Sequence, residues 1–251
     1  LEQWQALVGD GNDYPKTLVD LGGKSQSAKL PGGAKVTAWF APNPMIAGTK
    51  PPKGSDGNKY GDHPDLKMAR SFIQNAKEGV LFLVFNPGYN GTLLNDIIDL
   101  ANSKKGKDLF IHGVANQDPI GGKKKQPLIF VHRGLVQRSE GDIVLPGNVG
   151  VSSSLAKKDA KAAKALADWV KLISDYWQAE PSGLGMVRVH SKVVVVDPFG
   201  DHPVVMTGSH NLGPKASGAN DDNLVIVENE PGLAGAYAVN IATIYDQYRW
   251  R

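Results

Sequence analysis

His190-Ser191-Lys192 stands at the head of a run of four valines, Val193 to Val196, closed by Asp197. A β-branched run of this length is too short for a membrane span and right for a buried strand. Side chains alternate faces along a strand, so His190 and Lys192 point the same way. Two polar groups on a greasy strand need a reason, because burying them unpaired is costly. A bland reason is that both lie near the strand end and reach water; the sharper one is a pocket for an anion. The segment that follows, 198–203, is rich in turn residues, and 204–207 then reads as a hairpin partner. It ends in Gly208-Ser209-His210-Asn211, where glycine lets the backbone approach a ligand and Ser209 and Asn211 offer hydrogen bonds. The hairpin would bring those groups to His190 and Lys192.

The pattern His190-x-Lys192-x4-Asp197 followed by Gly208-Ser209-x-Asn211 resembles the signature of the phospholipase D superfamily, and Ser217 with Asn220-Asp221-Asp222-Asn223-Leu224 resembles its trailing acidic segment. The gap between Asp197 and Gly208 is longer than the family's usual spacing, which reads as a surface insertion at 199–202. The resemblance implies a phosphodiesterase in which two such motifs meet at a pseudo-two-fold interface. One histidine attacks phosphorus to form a phosphohistidine; the other protonates the leaving oxygen and then activates water or an alcohol. Lys192, Ser209 and Asn211 would bind the phosphate, and Lys192 and Asn211 would stabilise its developing charge without a metal or other cofactor. Asp222 would hydrogen-bond a histidine and fix its tautomer. Asp197 would be structural, binding backbone or positioning the turn.

Only one motif is present: His63, His112 and His132 lack a lysine two residues on. The second must come from a homodimer mate or from a missing N-terminal half. The chain resembles the C-terminal half of a bacterial two-motif protein, with 35–251 covering one half and 1–34 a connector. In that case His190 is the general acid; in a homodimer the two copies share both roles. The partner substrate is a phosphodiester, phospholipid or nucleic acid, and a third reading is a non-catalytic phosphate-binding half.

Composition narrows these readings. A net charge of +3 over 251 residues is too small to argue for nucleic acid, which tilts the substrate toward a lipid or small phosphodiester. Without cysteine there is no thiolate metal site or cysteine nucleophile. No transmembrane segment is expected. The start at Leu1 rather than Met reads as a processed or excised chain, from which a signal peptide or an upstream domain would already be missing. The compartment stays open, with a secreted or periplasmic one slightly favoured.

The elements that must position these residues follow from periodicity. A short helix and loop are expected over 1–19, a loop over 20–34, a first strand at 35–40, and a loop or lid at 41–62. A helix then opens at Pro64, capped by Asp62, with Leu66, Ala69, Ile73 and Ala76 as its buried stripe. Next come a wholly apolar strand at 79–85, a helix at 92–103 and a strand at 109–114. This rhythm predicts an α/β fold with a mixed, mostly parallel sheet flanked by helices on both faces. Beyond it are a strand at 128–132, a hairpin or irregular excursion over 127–150, a helix at 155–176, a strand at 223–227 and a last helix at 232–248. Tyr89, in the turn after strand 79–85, could line the pocket or serve a plain turn. His210 reads as a solvated loop histidine, His202 as exposed, and the lysine runs at 104–107 and 123–125 as solvated loop ends. Trp39, Trp169 and Trp177 read as core or interface.

Overall fold

The computed structural model describes residues 5, 16–50, 61–116, 129–132, 135–138 and 189–249. The expected helix at 155–176, the lysines at 123–125, Trp169 and Trp177 lie outside them. Among the described residues the order is α1 (Lys16–Gly22), β1 (Gln26–Lys29), β2 (Lys35–Phe40), α2 (Pro64–Gln74), β3 (Gly79–Val84), α3 (Leu93–Asn102), a 3-10 turn (Lys105–Asp108) and β4 (Phe110–Ala115). Then come β5 (Ile129–His132), β6 (Leu135–Arg138), β7 (Lys192–Val196), β8 (Val204–Gly208), α4 (Pro214–Ala219), β9 (Asn223–Glu228) and α5 (Pro231–Arg249).

The strands form one sheet in the order β1-β2-β9-β8-β7-β3-β4-β5-β6. The α/β class holds, but the sheet is mostly antiparallel. Only β3 and β4 pair in parallel, across the α3 crossover, while β3 meets β7 and β7 meets β8 antiparallel. A connection as short as 197–203 permits only a hairpin, since a parallel return needs a dozen or more residues. Its turn is a surface feature, with Phe199 77% exposed. A second correction concerns 20–34, expected as loop: β1 lies there and pairs with β2 along the sheet edge. All four β1 residues are exposed, so its sequence carries no apolar alternation to read.

The valine run is explained by its central position. Val194 and Val196 enter the core formed with α2 and α3, alongside Phe82, Ile111 and Met206. Val193 and Val195 face the opposite core, which α5 closes with Ala234, Ala238, Ile241 and Tyr245. Helices therefore cover both faces, and a strand buried on both sides reads as continuously apolar. Trp39 belongs to the first core at 7% exposure. No described helix is long and apolar enough to cross a membrane.

The start of α2 also departs from expectation. His63, not Asp62, is the N-cap residue, and no side chain caps it. Asp62 is drawn instead to Arg70 Nη1 at 2.9 Å, while Arg70 Nε bonds both oxygens of Asp96 at 2.9 and 2.8 Å. One guanidinium thus ties α2, α3 and the turn before α2. The expected stripe of Leu66, Ala69, Ile73 and Ala76 is fully buried. Thr92 and Asn95 form a reciprocal capping box that starts α3.

Asp197 closes β7 with a positive φ of 49°. Its carboxylate accepts the backbone N–H groups of Lys77, Glu78 and Gly79 at 2.8–3.0 Å. This pins the beginning of β3 to the end of β7. Asp197→Ala is expected to lower stability by about 1–3 kcal/mol, since three donors lose a charged acceptor. A denaturation midpoint equal to that of the parent protein would contradict this role.

Candidate functional site

Register alone collects the site. Val84 pairs with Lys192, Val193 with Thr207, and Gly208 with Leu224. The end of β3, the approach to β7, the end of β8 and the approach to β9 therefore share one rim of the sheet. There a cleft of about 570 Å³ is lined by residues that include Phe85, His190, Lys192, Gly208, Ser209, Asn211 and Asp222, with Tyr237 and Asn240 contributed by α5. Asp197 is excluded, lying about 16 Å along the strand from Lys192 at the usual rise per residue.

His190 lies just before β7 rather than within it and is exposed. Lys192 Nζ is 3.4 Å from both of its ring nitrogens and donates to its backbone carbonyl at 2.8 Å. Burial pushes the Lys192 ammonium below its ordinary pKa, and the Asp222 carboxylate opposes that shift. Both groups rest on Phe85. Its ring centroid is 4.3 Å from that of His190 at an interplanar angle of 57°. The Lys192 ammonium lies 4.5 Å from the same centroid, within cation–π range.

The facing bend is held by β9. Gly208 has φ +138°, and a Cβ there would fall 2.3 Å from the Asn223 carbonyl oxygen. The glycine thus serves the close approach of β8 and β9. Ser209 Oγ accepts the Asn223 N–H at 3.0 Å, leaving its own hydroxyl proton to donate. Asn211 reaches the cleft with its Oδ1 buried and without a hydrogen-bond partner. Asp222 accepts from Asn220 Nδ2 at 2.9 Å. Within this single motif its charge acts on Lys192.

His210 overturns the expectation of a solvated loop residue. It is 1% exposed, turned away from Ser209 and Asn211 as alternation requires, but into protein. Tyr89 does not line the cleft, whereas Phe85, four residues earlier, does. An aromatic at the carboxyl end of a buried strand was the available signal for Phe85. Tyr237, on α5, is half-buried at the cleft, and nothing local in the sequence marks it. The described residues hold no group of three or more His, Cys, Asp or Glu able to bind a metal ion.

This rim can hold one tetrahedral anion between a fixed ammonium, an imidazole and an amide. Comparison with known proteins gives it a family. Residues 70–245 match the family described as "Cardiolipin synthase, PLD-like domain". No curated protein matches the chain. Among solved structures, it is similar to the crystal structure of a phospholipase D family member, Nuc from Salmonella typhimurium. The identity is 18% and the TM-score 0.40, covering 85% of this chain and 95% of that one. The family match runs from α2 into α5 and spans every residue of the cleft named above, over well more than half of the sequence; the chain therefore belongs to the phospholipase D superfamily, as a PLD-like domain of the cardiolipin synthase type.

Proposed function

We propose that this domain is one half of a phosphodiesterase site that works through a phosphohistidine and favours phospholipid head groups. The observation that carries the reading is the contact of His190 with Lys192 at 3.4 Å on a cleft shared with Asn211. A second His-x-Lys motif, from a second copy of the chain or a separate half, completes the site.

In the first step an imidazole nitrogen forms a bond to phosphorus while the bond from phosphorus to the leaving oxygen breaks. The imidazolium of the other motif gives that oxygen its proton. In the second step the now neutral imidazole takes a proton from water or an alcohol, whose oxygen displaces the first histidine. Each displacement is easier than the single direct one. Lys192 and Asn211 hold the non-bridging oxygens, where preorganised donors act on developing charge. Asp222 opposes loss of the Lys192 proton, as its charge already does at rest.

Lys192 is the only lysine or arginine among the described residues lining the cleft. A single fixed cation suits one phosphate better than the repeated charges of a nucleic acid. The assembled protein is therefore expected to cleave phospholipid in vesicles, at a rate unchanged by EDTA and only weakly dependent on salt. A strict metal requirement would overturn the mechanism. Oligonucleotide cleavage whose binding falls steeply with salt would overturn the lipid preference in favour of a nuclease. Phosphate binding without turnover in the two-motif assembly would leave a non-catalytic half.

A further inference from the structure

Behind the Gly-Ser-x-Asn bend lies a buried polar group that the chemistry above does not use. Asp65, on the first turn of α2, is fully buried, as is Ser217 on α4; His210 is 1% exposed and Asn43 2%. His210 Nδ1 accepts the Leu212 N–H at 2.9 Å, so the ring proton sits on Nε2. That nitrogen is 3.0 Å from Ser217 Oγ and 3.3 Å from Asp65 Oδ2. Asp65 also accepts from Asn43 Nδ2 at 3.1 Å and from the Leu66 N–H at 2.7 Å. Burial pushes the Asp65 carboxyl up, but the hydrogen bonds from His210, Leu66 and Ser217 hold it below its ordinary value.

An apolar plug would fill this space without the desolvation cost of a carboxylate and an imidazole. What the polar group adds is direction. His210 stands between Ser209 and Asn211, so a fixed ring sets the backbone from which both neighbours project. Ser217 begins the segment leading to Asn220 and Asp222. That segment is held to the bend at 41–43, just after β2, by the Asn43 N–H to the Ser217 carbonyl at 2.6 Å and the Ala41 N–H to the Asp222 carbonyl at 2.8 Å. One carboxylate on α2 therefore braces both loops that face Lys192.

We propose that Asp65, His210 and Ser217 are positioning residues that hold Asn211 and Asp222 in register with the phosphate seat at Lys192. This rests on the phosphodiesterase reading of the cleft. The test uses His210→Ala, His210→Gln and Asn211→Ala, with the double variant His210→Ala/Asn211→Ala, in the assembled protein. It measures kcat, KM, thermal midpoint and the affinity for inorganic phosphate.

His210→Ala lowers kcat about 10–100-fold with little change in KM, as expected when a donor to developing charge is displaced. His210→Gln recovers most of that loss, because an amide can still accept from Leu212 and donate to Asp65. In the Asn211→Ala background, removing His210 costs less than about 3-fold more, although the thermal midpoint falls as far as before. Equal losses of kcat in both backgrounds would make His210 merely structural and overturn the proposal. Should His210→Ala not fold, Ser217→Ala gives the same comparison, with an expected loss of about 3–10-fold that vanishes when Asn211 is already absent. A parent protein that neither turns over nor binds phosphate would overturn the phosphodiesterase reading, and this one with it. A parent that turns over, with kcat unchanged in His210→Ala, would overturn the positioning role alone.

Discussion

Turnover of a phosphodiester falls by on the order of 10²–10⁴-fold or more in His190→Ala, while the folded protein keeps its thermal midpoint. The asymmetry follows from placement. His190 is exposed, sits ahead of β7 rather than in it, and takes no part in either core. Its side chain touches Phe85 and Lys192, so truncation removes chemistry and little packing. Imidazole can both attack phosphorus and carry a proton to a leaving oxygen. The loss should appear in kcat rather than KM, because the covalent step is made only in the transition state. Steady-state kinetics on a generic phosphodiester, with thermal melting alongside, checks both halves; a fully active variant would refute the role of His190.

Lys192→Met is expected to cost about 10²–10³-fold in kcat, the scale for removing a preorganised donor to developing charge. The pH dependence gives a second and sharper readout. The ammonium is the competent form. Burial lowers its pKa from the ordinary lysine value and Asp222 partly offsets this. Activity should therefore be lost on the alkaline side as pH rises through the lowered value, earlier than an exposed lysine would allow. Asp222→Asn removes the offsetting charge, so the alkaline limb moves further toward neutral pH. In Lys192→Met that limb disappears. A kcat–pH profile in which Asp222→Asn leaves the limb in place, or moves it upward, would contradict the coupling between the two groups.

What could be read from the residues divides along physical lines. The chemistry-bearing motif was legible because its spacing is set by covalent geometry: a short hairpin turn brings Lys192, with His190 two residues ahead of it, to the rim that Ser209 and Asn211 also reach. The strands at 35–40, 79–84, 204–208 and 223–228 were legible from β-branched and apolar runs. Direction was not. A continuous apolar run such as 79–84 says that a strand is buried on both faces, and it says the same for β7. Whether the two lie parallel depends on connections elsewhere, and here they are antiparallel.

His210 shows the same boundary more sharply. Alternation correctly turns its ring away from Ser209 and Asn211, but nothing near it in sequence reveals that the Asp65 carboxylate, brought over on α2, occupies the space behind. Phe85 had a weak local signal as the aromatic ending a buried strand; Tyr237 had none, since a helix position facing a cleft and one facing a core share the same periodicity. Gly208 was legible as a residue type, but the neighbour that demands it, the Asn223 carbonyl on β9, could not be read from the local sequence.

The most direct test of the account is a crystal structure of the assembled protein with tungstate, a tetrahedral mimic of phosphate whose metal can be located by anomalous scattering. The ion is predicted in the cleft, with oxygens or metal within about 3 Å of the His190 ring, Lys192 Nζ and the Asn211 amide. Tungstate seated elsewhere, or absent from the cleft at saturating concentration, would contradict it.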